Sequence, residues 1–503
     1  MKRGLLLFFS LALIIWARVW NHEQIFVDGQ VYFVDADCYS RMTRVVEVLE
    51  KPGTVLRHHD FENWPVGTMP HATAPLDYLI ASLAWVGGNI DLAGAVTPIL
   101  LALASGFILW KWVAPFRLLT QIAVLLLFAV SPILVHGTVL GRPDHQALLI
   151  FLVIAAFATE WKLQTAPTRI ASILHGVAWG LALWVSLFEP AILFGASVFL
   201  GIAAQGRAWF NRTRGLAAAA MSVVLVSALV IEHWHLGSIP RGALFDRWAQ
   251  SIGELVRPGW FSPVYLQWFG LVFLALPVAL LWQTFRTKNR AAIPWLGLLV
   301  LTFTLSAGAV RWGYFLAVAV LFTLPLLLEK WRQTWVAVLF FLGFWPVAVE
   351  WDTRLWPSQA ESERLAEQRE DYRQLREISV EIGKTGGGVI APWWLSPPVA
   401  YWSGAKCVAG SSHQSLPGNE EVANFYLSRF PEKAREIARG RKVDWVIAYE
   451  PARVLATASS LVDIPAANDA FGATIYNNAR HAPAFLRLEK ETSFFRLYRV
   501  VDP

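Results

Sequence analysis

Residues 119–161 read LTQIAVLLLFAVSPILVHGTVLGRPDHQALLIFLVIAAFATEW. They contain two apolar runs, 119–136 and 147–161, joined by a short polar loop at 137–146. A helix that crosses a bilayer needs roughly 20 predominantly apolar residues, and both runs approach that length. The stretch therefore predicts two neighbouring membrane spans, with Asp144 at the mouth of the second one.

The composition agrees with this interpretation. The chain has 503 residues, of which 55% are hydrophobic and 16% are charged, whereas soluble domains average about 25% charged residues. Length alone would suggest about three soluble domains. Because the apolar residues fall in long runs and the charges collect between them and in the last third, we expect one membrane domain (1–350) and one tail domain (351–503).

The apolar runs predict a polytopic helical membrane domain of about 11 spans. The first run begins after a basic start, but no small-residue cleavage site follows it, so we interpret it as an uncleaved span. The predicted spans are 4–20, 92–110, 119–136, 147–161, 170–187, 190–204, 215–234, 265–284, 291–308, 313–329 and 334–349.

Lysine and arginine predict the orientation of these spans. With all the spans in place, every basic cluster between them falls on one side, which the positive-inside rule assigns to the cytoplasm. A single missed span would break this alternation. The clusters are Lys2 and Arg3; Lys111 and Arg117; Lys162 and Arg169; Arg207, Arg212 and Arg214; Arg286, Lys288 and Arg290; and Lys330 and Arg332.

The opposite, non-cytoplasmic side then receives three outer loops and the tail. The loops are 21–91, 137–146 and 235–264. The tail contains strand-like runs at 388–394, 443–450 and 494–501, with helical material at 419–440, a mixture that predicts a small α/β domain. We expect a multi-pass protein of a bacterial inner or cell membrane.

Charge and cysteine content exclude other classes. The net charge of +6 is spread over short loops, which is a pattern of membrane orientation and not of nucleic-acid binding. Cys38 and Cys407 are the only cysteines, too few for a disulfide scaffold. They could pair in an oxidising compartment; two free thiols is the simpler interpretation.

Each outer loop carries an acidic residue beside the membrane. Asp37, Asp144 and Glu254 could converge on one Mg²⁺ or Mn²⁺ ion, with His145 as a further ligand, because hard cations prefer carboxylate oxygens. We expect the three carboxylates within about 8 Å of one another. Taken singly, Asp37 could be a solvated loop residue, and Glu254, in a charged loop, is more simply explained as one. An ionisable group next to an apolar span, as Asp144 is, tends to be functional.

Two arginines accompany these acids. Arg142 and Arg311 could each hold a phosphate group bidentately. A donor phosphate beside a divalent cation would place both kinds of ligand on the same outer face.

The motifs also have a definite order. DCY (37–39) with Arg44 follows the first span, GRPDHQ (141–146) lies between the third and fourth, and SIGE (251–254) lies in a long outer loop. Four predicted spans follow that loop, with Arg311 at an outer span end. In this order the motifs resemble those of the catalytic subunit of oligosaccharyltransferases, within the C-type fold of membrane glycosyltransferases, and the chain looks like a divergent bacterial-type member.

The tail extends the resemblance over nearly the whole chain. WWLSP (393–397) stands where the family has Trp-Trp-Asp-Tyr-Gly, and the closing run 473–500 resembles the family's terminal region. The resemblance implies that Asp37, Asp144 and Glu254 are catalytic and that Trp393 and Trp394, with Tyr39, contact the acceptor. The alternative for the two tryptophans is that they pack the tail onto the membrane domain.

Three departures from the family pattern bear on the acceptor. Leu395 replaces the aspartate that helps to hold the hydroxyl of an Asn-x-Ser/Thr acceptor in the family, and leucine cannot accept a hydrogen bond. Gln146 stands where an acid is usual, and four predicted spans, where typical members have six, separate the second motif from the long loop. A peptide acceptor is therefore in doubt, whereas the metal and phosphate residues are mostly retained.

These features predict an enzyme, a glycosyltransferase that takes a sugar or oligosaccharide from a polyprenyl-phosphate or polyprenyl-pyrophosphate carrier. The expected acceptor is a glycan or lipid outside the cytoplasm, and protein N-glycosylation is the alternative. A binding or transport protein and a non-catalytic relic remain as further hypotheses, although a transporter would be expected to show inverted repeats or broken midplane helices. The sugar, the phosphate form of the carrier and the oligomeric state stay open.

Overall fold

The computed structural model of the chain describes residues 2–70, 74–233, 241–274, 276–278, 281 and 292–501. Parts of the predicted loop 235–264 and of the predicted span 265–284 lie outside the described residues, as do Arg286, Lys288 and Arg290.

Helices dominate the first 355 residues, where the described strands are only the short antiparallel pair β1 (Phe26–Val27) and β2 (Gln30–Val31). The described α-helices of this part are Lys2–Arg18, His22–Ile25, Ala36–Glu50, Ala74–Gly87, Ile90–Trp112, Leu118–Val130, Pro132–His136, His145–Thr165, Arg169–Val185, Phe188–Gln205, Arg212–Glu232, Ala243–Gln250, Val264–Phe269, Ile293–Gly308, Gly313–Leu328, Gln333–Gly343 and Trp345–Leu355.

Five described helical segments are long and apolar enough to cross a membrane, and several shorter apolar helices accompany them. On one of the five, Arg212–Glu232, the valines Val223, Val226 and Val230 are more than half exposed, as expected for a helix that faces lipid. The chain is a multi-pass membrane protein. The five segments are Ile90–Trp112, His145–Thr165, Phe188–Trp209, Arg212–Glu232 and Val310–Leu328.

Two predicted spans are interrupted in the structure. The run 119–136 divides at Ser131 into the helices Leu118–Val130 and Pro132–His136, and the run 334–349 divides at Phe344. In both places a proline occupies the first turn of the second helix. Proline has no backbone N–H and fits only the start of a helix, so a new helix begins there.

Several helices begin with a side chain that satisfies a free backbone N–H group. Asn89 accepts from Leu92 N, Thr168 from Ala171 N and Asn211 from Arg214 N. Asp35 and Asp144 start the helices that carry the candidate site, and each accepts a backbone hydrogen bond. Such caps fix where a helix begins. Here they fix the backbone positions from which the acidic side chains of the site extend.

The outer loop 21–91 is more structured than the sequence suggested. It contains the helices Ala36–Glu50 and Ala74–Gly87, the second of which is apolar but, with 14 residues, too short to cross a bilayer. Asp77 is buried between Arg41 and Arg44, with Arg41 Nη1 2.7 Å from Asp77 Oδ1. This ion pair ties the two helices of the loop together.

The C-terminal region, residues 359–501, is built around a five-stranded mixed sheet. Its strands are β3 (Gly388–Ile390), β4 (Lys406–Cys407), β5 (Val443–Ala448), β6 (Leu486–Glu491) and β7 (Arg496–Val500), in the order β4-β3-β5-β7-β6. Strand β3 is parallel to β4 and β5, whereas β7 is antiparallel to β5 and β6.

The helices Gln359–Gly383, Ser396–Ser403, Leu416–Leu427, Pro431–Gly440, Pro451–Val462 and Phe471–Asn477 complete this region. The three strand-like runs of the sequence coincide with β3, β5 and β7, and the helical material coincides with Leu416–Leu427 and Pro431–Gly440. The region has an apolar core of its own. It contacts the outer loop through the helices Ala36–Glu50 and Ser396–Ser403.

Candidate active site

Asp35 places Asp37 at the start of an outer-loop helix. Asp35 accepts a hydrogen bond from Cys38 N at 3.1 Å, and Asp37 follows in the first turn. The Asp37 carboxylate reaches solvent. Loss of hydration by the surrounding protein and the charges of Asp35, Asp144 and Glu254 raise its pKa to about 7. Asp37 therefore sits in a field of negative charge that the neighbouring arginines do not fully cancel.

Arg142 joins the first and third acidic loops. Its Nη1 lies 3.3 Å from Asp35 Oδ2, and its Nη2 lies 2.5 Å from Glu254 Oε1. Tyr314 Oη also donates to Glu254 Oε1 at 3.1 Å, and His136 Nε2 is 3.1 Å from Arg142 Nη1. Arg142 is 5% exposed, so its charge is buried between two carboxylates, the arrangement that a buried guanidinium requires.

Asp144 is compensated by its own neighbours. Its Oδ1 lies 2.6 Å from His145 Nδ1. Burial by itself would raise the pKa of Asp144, but the charge and hydrogen bond of His145, together with Arg142 and Arg41, bring it below the ordinary value. Asp144 is therefore the ionised partner of Asp37.

Arg311 approaches the same group from another helix end. Its Nη2 lies 2.6 Å from Glu189 Oε1 and 3.5 Å from His145 Nε2. The side chain is 24% exposed, compared with 6% for Arg142. Each of these two arginines keeps a buried Nε that has no hydrogen-bond partner among the described residues. Arg311 is thus the more accessible of the two guanidinium groups.

The structure brings the predicted acidic residues and the two predicted arginines together, with carboxylates next to guanidinium groups. Asp144 and Glu254 lie on the same side of the molecule, because Arg142 precedes Asp144 by two residues and binds Glu254 directly. We call Asp35, Asp37, Asp144 and Glu254 the carboxylate cluster. In the part of the chain that the structure describes, no three His, Cys, Asp or Glu side chains are already arranged as a metal-binding group.

The C-terminal region contributes to this site through a buried serine. Ser411 lies beside the Asp37 carboxylate and acts to lower its pKa, and the Ser411 Oγ is 3.4 Å from Ser40 Oγ. Ser40 and Ser415 in turn donate to the buried carboxylate of Glu62. The serines come from both sides of the interface, so the contact fixes Asp37 relative to the C-terminal region.

Sequence reasoning missed several of these groups. Ser411, Ser415 and Glu62 lie in segments without a motif, and nothing in the sequence pairs them. Glu189 could be noticed in the sequence, because it stands beside Pro190 in a very short turn between apolar runs. Placing an ionisable group there costs free energy, so such a residue tends to be functional. Its partner, Arg311, is one of the two arginines predicted from the sequence to hold a phosphate group.

Tyr39 lies away from the carboxylate cluster. It is fully buried, and its hydroxyl accepts a hydrogen bond from Phe33 N at 3.0 Å. Its ring packs against Trp402 and Tyr401 of the C-terminal region. This placement makes Tyr39 part of the interface between the two regions and gives the predicted acceptor contact no support.

Trp393 and Trp394 are half-buried between the C-terminal region and the long loop. Their rings meet edge to face at 5.8 Å, Trp248 of the long loop packs on Trp393 at 6.3 Å, and Arg453 lies over Trp394. Leu395 is 2% exposed and belongs to the C-terminal apolar core. The side chain in the place of the family's aspartate is therefore a packing residue.

Both cysteines are free thiols. Cys38 and Cys407 are buried and form no disulfide, so the simpler of the two interpretations holds.

Comparisons with solved structures identify the fold. The archaeal oligosaccharyltransferase AglB from Archaeoglobus fulgidus, in complex with an inhibitory peptide and a dolichol-phosphate, matches with a TM-score of 0.68 and 14% identity, over 89% of this chain and 69% of that one. ArnT from Cupriavidus metallidurans bound to undecaprenyl phosphate matches with a TM-score of 0.59 and 12% identity, over 99% of this chain and 98% of that one. This is the fold of the C-type membrane glycosyltransferases.

A third glycosyltransferase structure extends the likeness. The arabinofuranosyltransferase AftD from Mycobacteria matches with a TM-score of 0.60 and 13% identity, over 99% of this chain and 40% of that one. The resemblance stated from the motifs is confirmed at the level of the fold. At these identities the structural matches establish the glycosyltransferase fold alone.

Sequence comparison gives a shorter match. The chain is 28% identical over 151 residues to dolichyl-phosphooligosaccharide-protein glycotransferase 1 of Archaeoglobus fulgidus. The match covers 29% of this chain, and it spans only 25% of the length of the relative. No family model matches the chain.

Proposed function

We propose that the chain is a membrane glycosyltransferase that moves a sugar or oligosaccharide from a polyprenyl-phosphate or polyprenyl-pyrophosphate carrier to a glycan or lipid acceptor outside the cytoplasm. The observation that carries the proposal is the carboxylate cluster with Arg142 and Arg311, built on a glycosyltransferase fold. The structures of the similar AglB and ArnT proteins are described as complexes with dolichol-phosphate and undecaprenyl phosphate, which supports a polyprenyl carrier here.

In this proposal Asp37 acts on the acceptor. Without a cation the pKa of the Asp37 carboxyl is raised to about 7, and a bound cation would lower that pKa and keep the carboxylate ionised. Asp37 would orient the acceptor hydroxyl or amine and take its proton while the acceptor bonds to the anomeric carbon. Ser411 holds the carboxylate from the side of the C-terminal region, which positions it for that role.

The arginines act on the donor. The bond between the anomeric carbon and the phosphate oxygen breaks in the reaction, and negative charge develops on the leaving phosphate. Arg311, with its partly exposed guanidinium, would bind that phosphate, while Arg142 holds Glu254 and Asp35 in place. Fixed positive groups directed at developing charge are commonly a large contribution to catalysis.

We further propose a divalent cation, Mg²⁺ or Mn²⁺, at the carboxylate cluster. The donor chemistry fits, because Asp37, Asp144 and Glu254 offer hard oxygen ligands, and the charges of neighbouring carboxylates add to loss of hydration in raising the pKa of Asp37. His145 would be a ligand only after it separates from Asp144, to which its Nδ1 is bonded. When bound, the cation would neutralise charge on the leaving phosphate.

The test is a transfer assay with purified protein, a lipid extract that carries labelled sugar, and membranes from a deletion strain as acceptor. Asp37→Asn should lower transfer by about 100-fold or more, the usual contribution of a general base. Glu50→Gln, at the exposed far end of the same helix, is the matched control and should transfer normally. Chelation should abolish transfer, and Mn²⁺ should restore it.

Two outcomes of this assay would count against the proposals. Normal transfer by Asp37→Asn would remove Asp37 from the mechanism, and transfer that persists after complete chelation would remove the cation. A deletion strain whose lipid, polysaccharide and protein glycans all match the parent by mass spectrometry would contradict the transferase itself.

A second candidate is a protein oligosaccharyltransferase, favoured by the partial identity to an archaeal protein glycotransferase. Leu395, buried in the core where the family has an aspartate, speaks against a peptide hydroxyl pocket of the usual kind. We therefore rank a glycan or lipid acceptor first.

A further inference from the structure

A cavity of about 240 Å³ lies between the long outer loop and the C-terminal region. One wall is the end of the helix Ala243–Gln250, and the other is the helix Pro451–Val462, with Trp393 between them. Ser251, on the first wall, precedes Glu254 by three residues. The cavity therefore lies beside the carboxylate cluster along the chain but is formed by other residues.

Two tryptophan side chains line the cavity, Trp248 and Trp393. Trp248 is 7% exposed and meets Trp393 at a ring distance of 6.3 Å. Its Nε1 is buried and has no hydrogen-bond partner among the described residues. An indole N–H can only donate, and this one is closed off from solvent and so from the water-accessible space of the cavity. The cavity therefore offers aromatic faces, and its polar partners come from the other lining residues.

The polar lining has one sign of charge. Arg247 lies in the wall, where its Nε donates to Leu461 O at 2.7 Å. None of the described lining residues is an aspartate or glutamate. The remaining polar groups are the hydroxyls of Ser251, Thr457 and Ser460. One held cation among hydroxyls suits a ligand that carries both hydroxyl groups and a negative charge.

The volume limits the size of the occupant. Sites for drug-sized ligands measure about 300–1,000 Å³, so this cavity suits a single ring. A flat aromatic wall with hydroxyl and guanidinium partners fits a sugar ring, whose faces are apolar and whose edges carry hydroxyls. An acyl chain would leave the guanidinium and the hydroxyls without partners.

From these features we infer that the cavity binds one acidic sugar residue of the acceptor, a pyranose that carries a carboxylate or a phosphate group. The inference rests on the proposed function, because it assigns the cavity to the acceptor of that reaction. It names a substrate class by charge and size, and it assigns Arg247 and Trp248 as residues that determine acceptor specificity.

The experiment measures binding without turnover, so it needs neither donor nor cation. Purified protein in lipid nanodiscs is titrated with methyl glucuronide, glucose 6-phosphate and methyl glucoside, and binding is followed by saturation-transfer NMR. At least one acidic probe should bind more tightly than the neutral glucoside. Arg247→Gln should weaken it by about tenfold, the usual effect of losing a charged hydrogen bond.

Two further variants test whether the probe binds in the cavity or elsewhere on the protein. Ser460→Trp fills the cavity from an exposed position and should abolish binding of the acidic probe. Arg257→Gln removes an exposed arginine of the same loop that does not line the cavity and should bind like the parent. Thermal unfolding of each variant checks that it is folded.

The relative affinities of the probes identify the acidic group of the ligand. Tighter binding of the glucuronide assigns a carboxylate, and tighter binding of the sugar phosphate assigns a phosphate. No binding by the parent, equal binding of the neutral and acidic probes, or full binding by folded Ser460→Trp would each overturn the inference. Probe binding in a protein that transfers no sugar would leave the cavity assigned and contradict only the proposed function.

Discussion

At the scale of single residues, Asp37 and Asp144 differ in the pKa of their carboxyl groups because their neighbours differ. Asp144 has a histidine at 2.6 Å and two arginines nearby, which lower its pKa, whereas burial and three other carboxylates raise the pKa of Asp37 to about 7. Two carboxylates whose surroundings separate their pKa values can take different roles. This division supports Asp37 as the base and Asp144 as the permanent charge.

A third carboxylate, Asp371, gives a prediction on stability. It is 9% exposed and accepts a hydrogen bond from Tyr449 at 2.9 Å, and loss of hydration raises its pKa to about 6. The folded protein therefore keeps a proton on Asp371 between about pH 4 and pH 6 that the unfolded chain has released. Stability from this group should fall as the pH rises through that window.

Asp371→Asn removes the titration and keeps an acceptor for Tyr449. The unfolding temperature of the variant relative to the parent should rise from pH 4 to pH 7, as measured by thermal unfolding in detergent. Glu363→Gln, an exposed position on the same helix, should show a constant difference. A constant difference for Asp371→Asn as well would show that the carboxyl titrates normally.

The site residues that could be predicted from the sequence are those that stand beside apolar runs. Asp144 is the example, because an ionisable group next to an apolar span tends to be functional; Glu254 and Arg311 were predicted from the order of the motifs. Ser411 could not be predicted in this way, because a serine in a polar tail has no cost until folding brings it against Asp37. The burial of Tyr39 was likewise invisible, since its partners lie in the distant C-terminal region.

At the scale of elements, the two helices of the first outer loop depend on one another. Asp77 on Ala74–Gly87 is 1% exposed and bonds Arg41 and Arg44 on Ala36–Glu50. Removing one member of a buried ion pair leaves uncompensated charge and typically costs about 3–5 kcal/mol. Because Ala36–Glu50 carries Asp37, this pair also holds the site.

Asp77→Asn should therefore destabilise the protein by about 3–5 kcal/mol and lower its unfolding temperature, without a change of side-chain volume. Glu361→Gln breaks an exposed pair with Arg364 and should leave the unfolding temperature nearly unchanged, because solvent screens exposed ion pairs. Thermal unfolding of both variants, read by tryptophan fluorescence, gives the comparison. Equal unfolding temperatures would mean that the Asp77 carboxylate makes no net contribution to stability.

The elements themselves were predicted unevenly. Long apolar runs such as 92–110 and 147–161 became helices with nearly the predicted bounds. The runs 119–136 and 334–349 were too long as single helices because a proline starts a new helix inside each. The helix Ala74–Gly87 was not predicted, because its acidic residue Asp77 is typical of a loop in the sequence. In the structure Asp77 is buried by its ion pairs with two arginines.

At the scale of the whole molecule, the orientation follows from the basic loops. With the C-terminal region against the outer loop that carries Asp37, both must lie on the same side of the membrane. The positive-inside rule predicts that this side lies outside the cytoplasm. A reporter that is active only in the cytoplasm should be silent when fused after residue 503, whereas the same reporter fused within 163–168 should be active. The reverse pattern would invert the proposed orientation.

The fold could be predicted further than the acceptor. Span order, sidedness and motif order are properties of the sequence, and they led to the glycosyltransferase fold. The cavity proposed for the acceptor is formed by the long loop, Trp393 and the helix Pro451–Val462, which lie far apart in the chain. Their meeting depends on how the C-terminal region packs, so the cavity between them could not be predicted.

The packing of the C-terminal region leads to a last prediction, on peptide transfer. The purified protein should not glycosylate an Asn-x-Ser/Thr peptide in a hydroxyl-dependent way, because a site that recognises a hydroxyl needs a polar partner for it and Leu395 lies in the apolar core.

Leu395→Asp should not create such activity, because it would bury a charge and lower the unfolding temperature sharply. Leu395→Met should reduce the free energy of unfolding by less than about 1.5 kcal/mol. The measurement is transfer from a donor extract to peptides ending in Ser, Thr or Ala at the third position, compared with transfer to glycan and lipid fractions. Efficient transfer that requires the Ser or Thr hydroxyl would show that the acceptor is a protein and that a pocket without an aspartate suffices.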